Sequence, residues 1–413
     1  MSVSSHALGI DFGTSNSAAA YVRDGDVRFV EMAPGSNTLP TSFFFDFDSR
    51  KTLIGHPADK ALLDGEEGRY MRALKRVLGT SLMHEKRQLL NQRLTFVDII
   101  GDFLKRLKTQ AEATTGQSFE RVISGRPVVF HESGDLREQK AEDDLRLCYE
   151  AAGFKDVSFM AEPQAAALAS GAKPGLGLIV DIGGGTSDFT VFHQGQNGQH
   201  EVLANHGVRI GGTDFDQLIS IANVMPLLGK GTELHREFGT GTTPVPINIF
   251  HDLATWEKIP FLYTAQTRRK VAEMAKLAVE RPKIDRLETV LEDELGHDLA
   301  FAVEAGKVAA NSGLKGGTID LSVVEKGLNA MITRDAMNDV LTSQSDRLKI
   351  GALDTLALAQ KTPDQIDQVI YVGGSSLMGF VSDTMKATLP SADHVFTEVF
   401  TAVVKGLALA AQK

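Results

Sequence analysis

An α/β protein built from two similarly constructed lobes is the fold this sequence predicts, and three observations predict it. Strand-like apolar runs alternate with segments of helical period along the chain. Its 413 residues exceed what one hydrophobic core usually organises, so two lobes or domains are expected. A pattern of apolar run, Asp, Gly-containing turn, Thr-Ser and second apolar run occurs in "LGIDFGTSNSAAAYV" and again in "LGLIVDIGGGTSDFTVFHQG". This is a weak internal repeat, placed at corresponding points of two successive units.

The elements follow in order. "ALGIDFG", "SAAAYV" and "VRFVEM" read as strands, with "RDGD" as a tight hairpin turn. After "TLPTSFFFDF", the segments "RYMRALKRVLG" and "FVDIIGDFLKRLKTQAEATTG" have helical spacing. "RVISGRPVVF" returns to strand, and "DLREQKAEDDLRLCYEAAGF" reads as an amphipathic helix closed by Gly153. The second copy of the repeat comes next. Residues 213 to about 339 are the most irregular stretch, with "GKGTELHREFGTGTTPVPINIF" reading as loop before the helical "YTAQTRRKVAEMAKLAVE" and "LAFAVEAGKVAANSG". "QIDQVIYVGGSSLMGFVSDTMKATL" gives a strand, a Gly-Gly turn and a helix, and a last helix ends near Lys413. No low-complexity linker interrupts the sequence.

Composition narrows the function. A net charge of −10 argues against a nucleic-acid surface, which needs clustered Lys and Arg. Cys148 is the only cysteine, which excludes a disulfide framework or cysteine metal cluster and fits a reducing compartment. No basic-then-apolar leader and no run of about 20 apolar residues is seen, so a cytoplasmic protein without a membrane partner is expected.

Three glycine turns share one physical logic: Gly13 to Ser17, Gly183 to Ser187 and Gly373 to Ser376. Glycine lets backbone N–H groups approach a phosphate closely, and Thr or Ser adds hydroxyl donors. A Walker A loop does not explain them, because the two Gly-Lys pairs precede Gly231 and Val308 rather than Ser or Thr. Nor does a Rossmann turn, since strand rather than helix follows Gly13 and Gly185. Asp11 and Asp181 close their apolar runs beside these turns. Two carboxylates facing one polyphosphate would repel it unless a divalent cation lies between, and magnesium suits oxygen ligands, retained waters and few carboxylates. A lone Asp-x-Gly is more often a turn cap. The paired occurrence reverses that preference.

These residues resemble the actin-like ATPase domain of the seventy-kilodalton heat-shock chaperones, the DnaK type. "GIDFGTSNS" and "LIVDIGGGTSDFTVF" are similar to its two phosphate loops, "AEPQAAALASG" to its connecting motif, "RIGGTDFD" to the turn entering the mobile upper lobe, and "VIYVGGSSLMGF" to its adenosine loop. "ALKRVLG" and "TIDLSVVEKGLNAMITR" also resemble family segments, so seven segments follow the family's order. The resemblance implies an actin-like fold: two lobes of duplicated ribonuclease-H-like domains around a central nucleotide cleft. Lobe I would comprise residues 1–171, with 39–114 as its upper subdomain and 395–413 closing it, and lobe II residues 172–394, with 213–339 as its upper subdomain. No peptide-binding domain is expected, a layout similar to the truncated YegD-like branch.

The resemblance also implies roles. Gly13, Thr14, Ser15, Gly183, Gly184, Gly185 and Thr186 would cradle the phosphates of ATP or ADP. Asp11 and Asp181 would hold Mg2+ largely through its waters, Lys75 would reach the γ-phosphate, Glu162 would position the attacking water, and Asp188 would assist. Lys75 lies among Arg72 and Arg76, and without the motif order would read as a solvated helix face. Gly211 and Gly212 would form the lobe-entry turn, Glu304 and Lys307 would hold the ribose, and Asn311, Gly373, Gly374 and Ser375 would complete the nucleoside contacts. Departures are visible. Val308 and Leu377 replace two arginines that sandwich adenine in the chaperones, a loss of roughly 0.5–2 kcal/mol each in stacking and cation–π terms. Asn311 replaces a serine, and Phe400 replaces an acidic residue before the last helix. Weaker nucleotide binding is therefore expected. The implied function is a slow Mg-dependent ATPase acting as a nucleotide-gated switch, with ATP and a client or regulatory protein as partners. An actin-like filament, a small-molecule kinase or a degenerate binder would share the fold.

Overall fold

The computed structural model describes residues 7–131, 135–169, 172–196, 200–313, 316–396 and 401–412. The chain divides into two compact units, one of residues 1–212 and 345–413, the other of residues 213–344.

The first unit holds two central sheets, whose strands are numbered here in chain order. The first sheet contains β1 (Ala7–Phe12), β2 (Asn16–Arg23), β3 (Asp26–Phe29), β4 (Thr38–Pro40), β5 (Arg121–Arg126) and β6 (Asp156–Ala161), in the order β3-β2-β1-β5-β6 with β4 on β2. The second contains β7 (Gly175–Ile182), β8 (Ser187–Gln194), β9 (His200–Val208), β10 (Gln368–Val372) and β11 (Asp393–Phe396), in the order β9-β8-β7-β10-β11. In each sheet three antiparallel strands meander, and the first of them is then joined by two parallel strands. The short sequence repeat thus opens a duplicated topology. Helix Arg137–Ala151 links the parallel pair in the first sheet, and helix Gly379–Thr388 links it in the second. The first sheet draws its strands from residues 7–161 and the second from residues 175–396.

Local chemistry explains the elements. Asp24 and Gly25, at φ 56° and 86°, make the β2–β3 hairpin, since a tight two-residue turn needs positive φ at both positions. Helix Phe96–Thr115 starts at a Thr95/Asp98 capping box and stops at left-handed Gly116, and buries Phe96, Ile99, Ile100, Phe103, Leu104 and Leu107. Phe103 meets the ring of Phe12 at 5.8 Å and that of Phe43 at 5.5 Å, tying the helix to β1 and to the strand Ser42–Asp46. The closing helix Ala402–Ala410 packs on β1, on β2 and on helix Glu162–Ala169.

Two expectations are corrected. "RYMRALKRVLG" is not a helix: residues Gly68–Arg72 form a strand paired with Ser42–Asp46, and Leu74–Val77 form one 3-10 turn. Its apolar spacing suits a helix, but the first four residues pair with the Ser42–Asp46 strand and Ala73, at φ 62°, prevents continuation. Arg72 and Lys75 are each only 9% exposed, so they do not form a solvated face. The stretch read as loop after Gly229 also carries a small hairpin, Glu233–His235 with Thr242–Pro244, and a helix, Asn248–Leu253.

The second unit has its own core, including Ile259, Val271, Ile284, Leu287, Leu291, Leu299, Val303 and Ile319. Phe400 lies outside the described residues. Among those described, no helix is long and apolar enough to cross a membrane.

Candidate phosphate-binding site

Asp11 and Asp181 occupy equivalent places, one residue before the end of the first strand of a β-hairpin. Asp11 pairs with Ala18 across β1–β2, and Asp181 with Asp188 across β7–β8. Residues Ala7–Ile10 of β1 and Gly177–Ile182 of β7 are buried, which fixes the backbone that carries each carboxylate. The turns that follow meet. A Cβ on Gly184 would stand 2.6 Å from Ser15 Oγ, and one on Gly185 would stand 3.0 Å from Thr14 Oγ1. Gly211 is closer still, its Cβ position falling 2.4 Å from the backbone N of Gly185. Gly183 N–H donates to the Thr186 carbonyl, and Gly212 N–H to that of Gly183, each at 3.0 Å. The third turn joins them, because a Cβ on Gly373 would lie 2.7 Å from Asp181 Oδ1 and one on Gly212 2.4 Å from Ser375 Oγ. Glycine at these positions is therefore a requirement of close approach.

The charged groups converge on the same place. Lys75 Nζ donates to Glu162 Oε1 at 2.7 Å, both side chains being nearly buried. Glu162 opens helix Glu162–Ala169, and a Cβ on Gly125 would stand 3.2 Å from its Cγ and 3.6 Å from Asp11 Oδ1. Asp188 accepts from Val128 N–H at 2.7 Å and from the Thr186 hydroxyl. Burial, together with the Glu162 charge and against the pull of Lys75, pushes Asp11 up to about 7. Burial and Glu162 push Asp188 up to about 8. Asp181 is raised well above its ordinary value by burial and then by Glu162, Asp188 and Asp11. Burial draws Lys75 down, but Glu162, Asp11 and Asp188 outweigh it and leave the ammonium strengthened.

Four carboxyl groups surrounding one lysine need either protons or a cation. Asp181 Oδ2 is buried and has no hydrogen-bond partner among the described residues, which fits an acceptor kept for a cation's shell. Among the described residues no three acidic, His or Cys side chains form a direct metal cage. Two carboxylates that reached a cation through its retained waters would suit magnesium better than calcium or zinc.

The predicted nucleoside residues fall in both units. Gly373, Gly374, Ser375 and the 45%-exposed Leu377 belong to the first. Glu304, Lys307, Val308 and Asn311 lie on helix Gly296–Ser312 of the second. There Lys307 is buried with its Nζ 2.7 Å from Asp216 Oδ1, Val308 is 56% exposed, and the Asn311 carbonyl accepts from Arg334. Gly125, Arg209 and His131 were missed from sequence. A Gly interrupting "RVISGRP" was the available signal for the first. Nothing local marks the other two.

Duplicated sheets whose acidic tips and glycine turns converge define the actin-like ATPase class of proteins. The family model described as "Hsp70 protein" matches residues 7–225, more than half of the chain. The chain is 34% identical over 221 residues to "Chaperone protein DnaK" of Elusimicrobium minutum (strain Pei191), covering 51% of this chain and 34% of that protein. It is 31% identical over 221 residues to "Chaperone protein DnaK" of Endomicrobium trichonymphae, with the same coverage. It spans about a third of the length of these curated relatives. The chain belongs to the Hsp70 protein family.

Proposed function

We propose that this chain binds ATP with magnesium, hydrolyses it slowly and uses the nucleotide as a conformational switch read by a client or regulatory protein. The meeting of the two phosphate turns beside the Lys75–Glu162 pair carries the reading. Thr14, Ser15, Gly184, Gly185 and Thr186 would cradle the β and γ phosphates with backbone N–H groups and hydroxyls. Asp11 and Asp181 would hold Mg2+ through its waters, and the ion, when bound, would neutralise charge on the phosphate oxygens. Lys75 would hold a γ-phosphate oxygen. Glu162, one oxygen of which Lys75 fixes, would orient a water, and Asp188 would assist through Thr186. Phosphoryl transfer needs positioning and charge neutralisation more than covalent chemistry, and this cluster supplies both.

Glu304 and Lys307 would hold the ribose, with Lys307 shared between it and Asp216. Val308 and Leu377 in place of arginines support an affinity weaker than nanomolar. Calorimetric titration with Mg-ATP and a phosphate-release assay test the proposal. Binding in the micromolar range with slow release is the expected result. Failure of ATP to bind, or turnover by Asp181→Asn equal to the unsubstituted protein's, would remove it.

A further inference from the structure

The turn that carries Lys75 is secured by side chains from distant segments, and two of these form a connected chain of hydrogen bonds. Residues Leu74–Val77 make a single 3-10 turn entered through Ala73 at φ 62°, a conformation that a residue with a Cβ keeps only where its surroundings impose it. The carbonyl of Arg76 accepts from Arg209 Nη2 at 3.2 Å, and the carbonyl of Leu78 lies 2.8 Å from His131 Nε2. Arg209 Nη1 lies 3.0 Å from His131 Nδ1. A guanidinium can only donate, so Nδ1 is the acceptor. Nε2 therefore carries the ring proton and donates to Leu78.

The surroundings agree with a neutral imidazole. His131 is 1% exposed, and burial lowers its pKa before the opposing Leu78 hydrogen bond and the nearby Arg209 charge are counted. Gly79 sits at φ 79°, and a Cβ there would lie 2.8 Å from His131 Nε2. Asp144 grips the other side of the loop, accepting from Gly79 N–H at 2.9 Å and bonding His84 Nε2 at 2.8 Å.

Arg209 also lies two residues before Gly211, which abuts the Gly185 backbone, while Ser187 Oγ donates to the intervening Ile210 carbonyl at 2.7 Å. One short segment thus touches both the second phosphate turn and the Lys75 turn. We propose that Arg209 and His131 are positioning residues: by capturing the Arg76 and Leu78 carbonyls they hold Lys75 in register with the second phosphate turn. The proposal rests on the reading of this site as a phosphoryl-transfer centre.

Three measurements test it. Nitrogen-15 shifts of the His131 ring in the nucleotide-free protein should show Nε2 protonated and Nδ1 bare at neutral pH; the other tautomer or an imidazolium would overturn the assignment. In Arg209→Gln, amide exchange over residues 76–80 should rise about tenfold with that of helix Phe96–Thr115 unchanged, and an unaltered rate at the turn would count against the clamp. In ATP turnover the same variant should lose about tenfold in kcat with KM within about twofold, and Arg209→Lys, which can still donate to Arg76, should recover part of the loss. A lowered affinity with unchanged kcat would contradict a positioning role. Should Arg209→Gln fail to fold, His131→Phe, which fills similar space but offers the Leu78 carbonyl no donor, takes its place in both assays. A wild-type protein that binds ATP without hydrolysing it would defeat the catalytic reading alone, and the tautomer and exchange measurements would still decide the clamp.

Discussion

Asp188 shows how much a single residue depends on its burial. Its carboxyl titrates near 8 in the fold against 3.8 when unconstrained, so between those values the folded chain holds a proton that the unfolded chain has released. Stability contributed by this group therefore falls as pH rises through that window, and Asp11, raised to about 7, adds the same sign. Thermal melts of the nucleotide-free protein should show a higher Tm at pH 6 than at pH 8, with a shallower pH slope in Asp188→Asn, whose amide oxygen can still accept from Val128. An identical slope would mean that Asp188 is ionised in the fold. Asp181→Asn, at the buried unpartnered oxygen, should abolish turnover while leaving the far-UV circular dichroism unchanged. Asp11, Asp181 and the hydroxyls of the glycine turns were legible as a candidate site in sequence because motif and strand end coincide within a few residues. The environment that shifts their protons was not, since Glu162 is 151 positions from Asp11 in "EPQAAALA" and reaches it only through the fold.

Among the elements, the closing helix Ala402–Ala410 depends on one close crossing. A Cβ on Gly406 would stand 1.7 Å from the Ala165 carbonyl oxygen, and one on Gly9 would stand 2.6 Å from the Ala408 nitrogen. Both contacts are to backbone, which cannot rotate aside. Gly406→Ala should cost about 3 kcal/mol or more, read as a lower urea midpoint with unchanged m-value. A loss below about 1 kcal/mol would show that the two helices slide apart freely. Because helix Glu162–Ala169 is the partner in that crossing, Glu162 should also move, so residual turnover should fall with stability. Helix Phe96–Thr115 was legible from its apolar period, its Thr95 start and its Gly116 stop. The segment around Lys75 was not, because its period suits a helix while the available strand edge and Ala73 decide otherwise.

For the whole molecule, the two units differ in what can report on them. Trp256 is the chain's only tryptophan, buried in the second unit with its Nε1 3.3 Å from Asp216 Oδ2. Its fluorescence therefore follows the unit that holds Lys307, whereas circular dichroism follows both. Since each unit has its own core, urea unfolding followed by the two signals should give separate midpoints, and coincident curves would instead show one cooperative transition. Mg-ATP at a hundred times its Kd should add about 2.7 kcal/mol to the transition of the unit carrying the phosphate turns.

By itself the sequence determined the α/β class, the duplication, the paired acidic strand tips and the glycine turns, because each is written in residues adjacent along the chain. Only the tertiary structure decided that Lys75 is buried against Glu162 and not solvated on a helix, that Lys307 is tied to Asp216, and that Arg209 and His131 hold the turn between. Those outcomes join residues tens to more than a hundred positions apart, and competition for strand edges, burial and hydrogen-bond partners is settled only when all of the segments pack together.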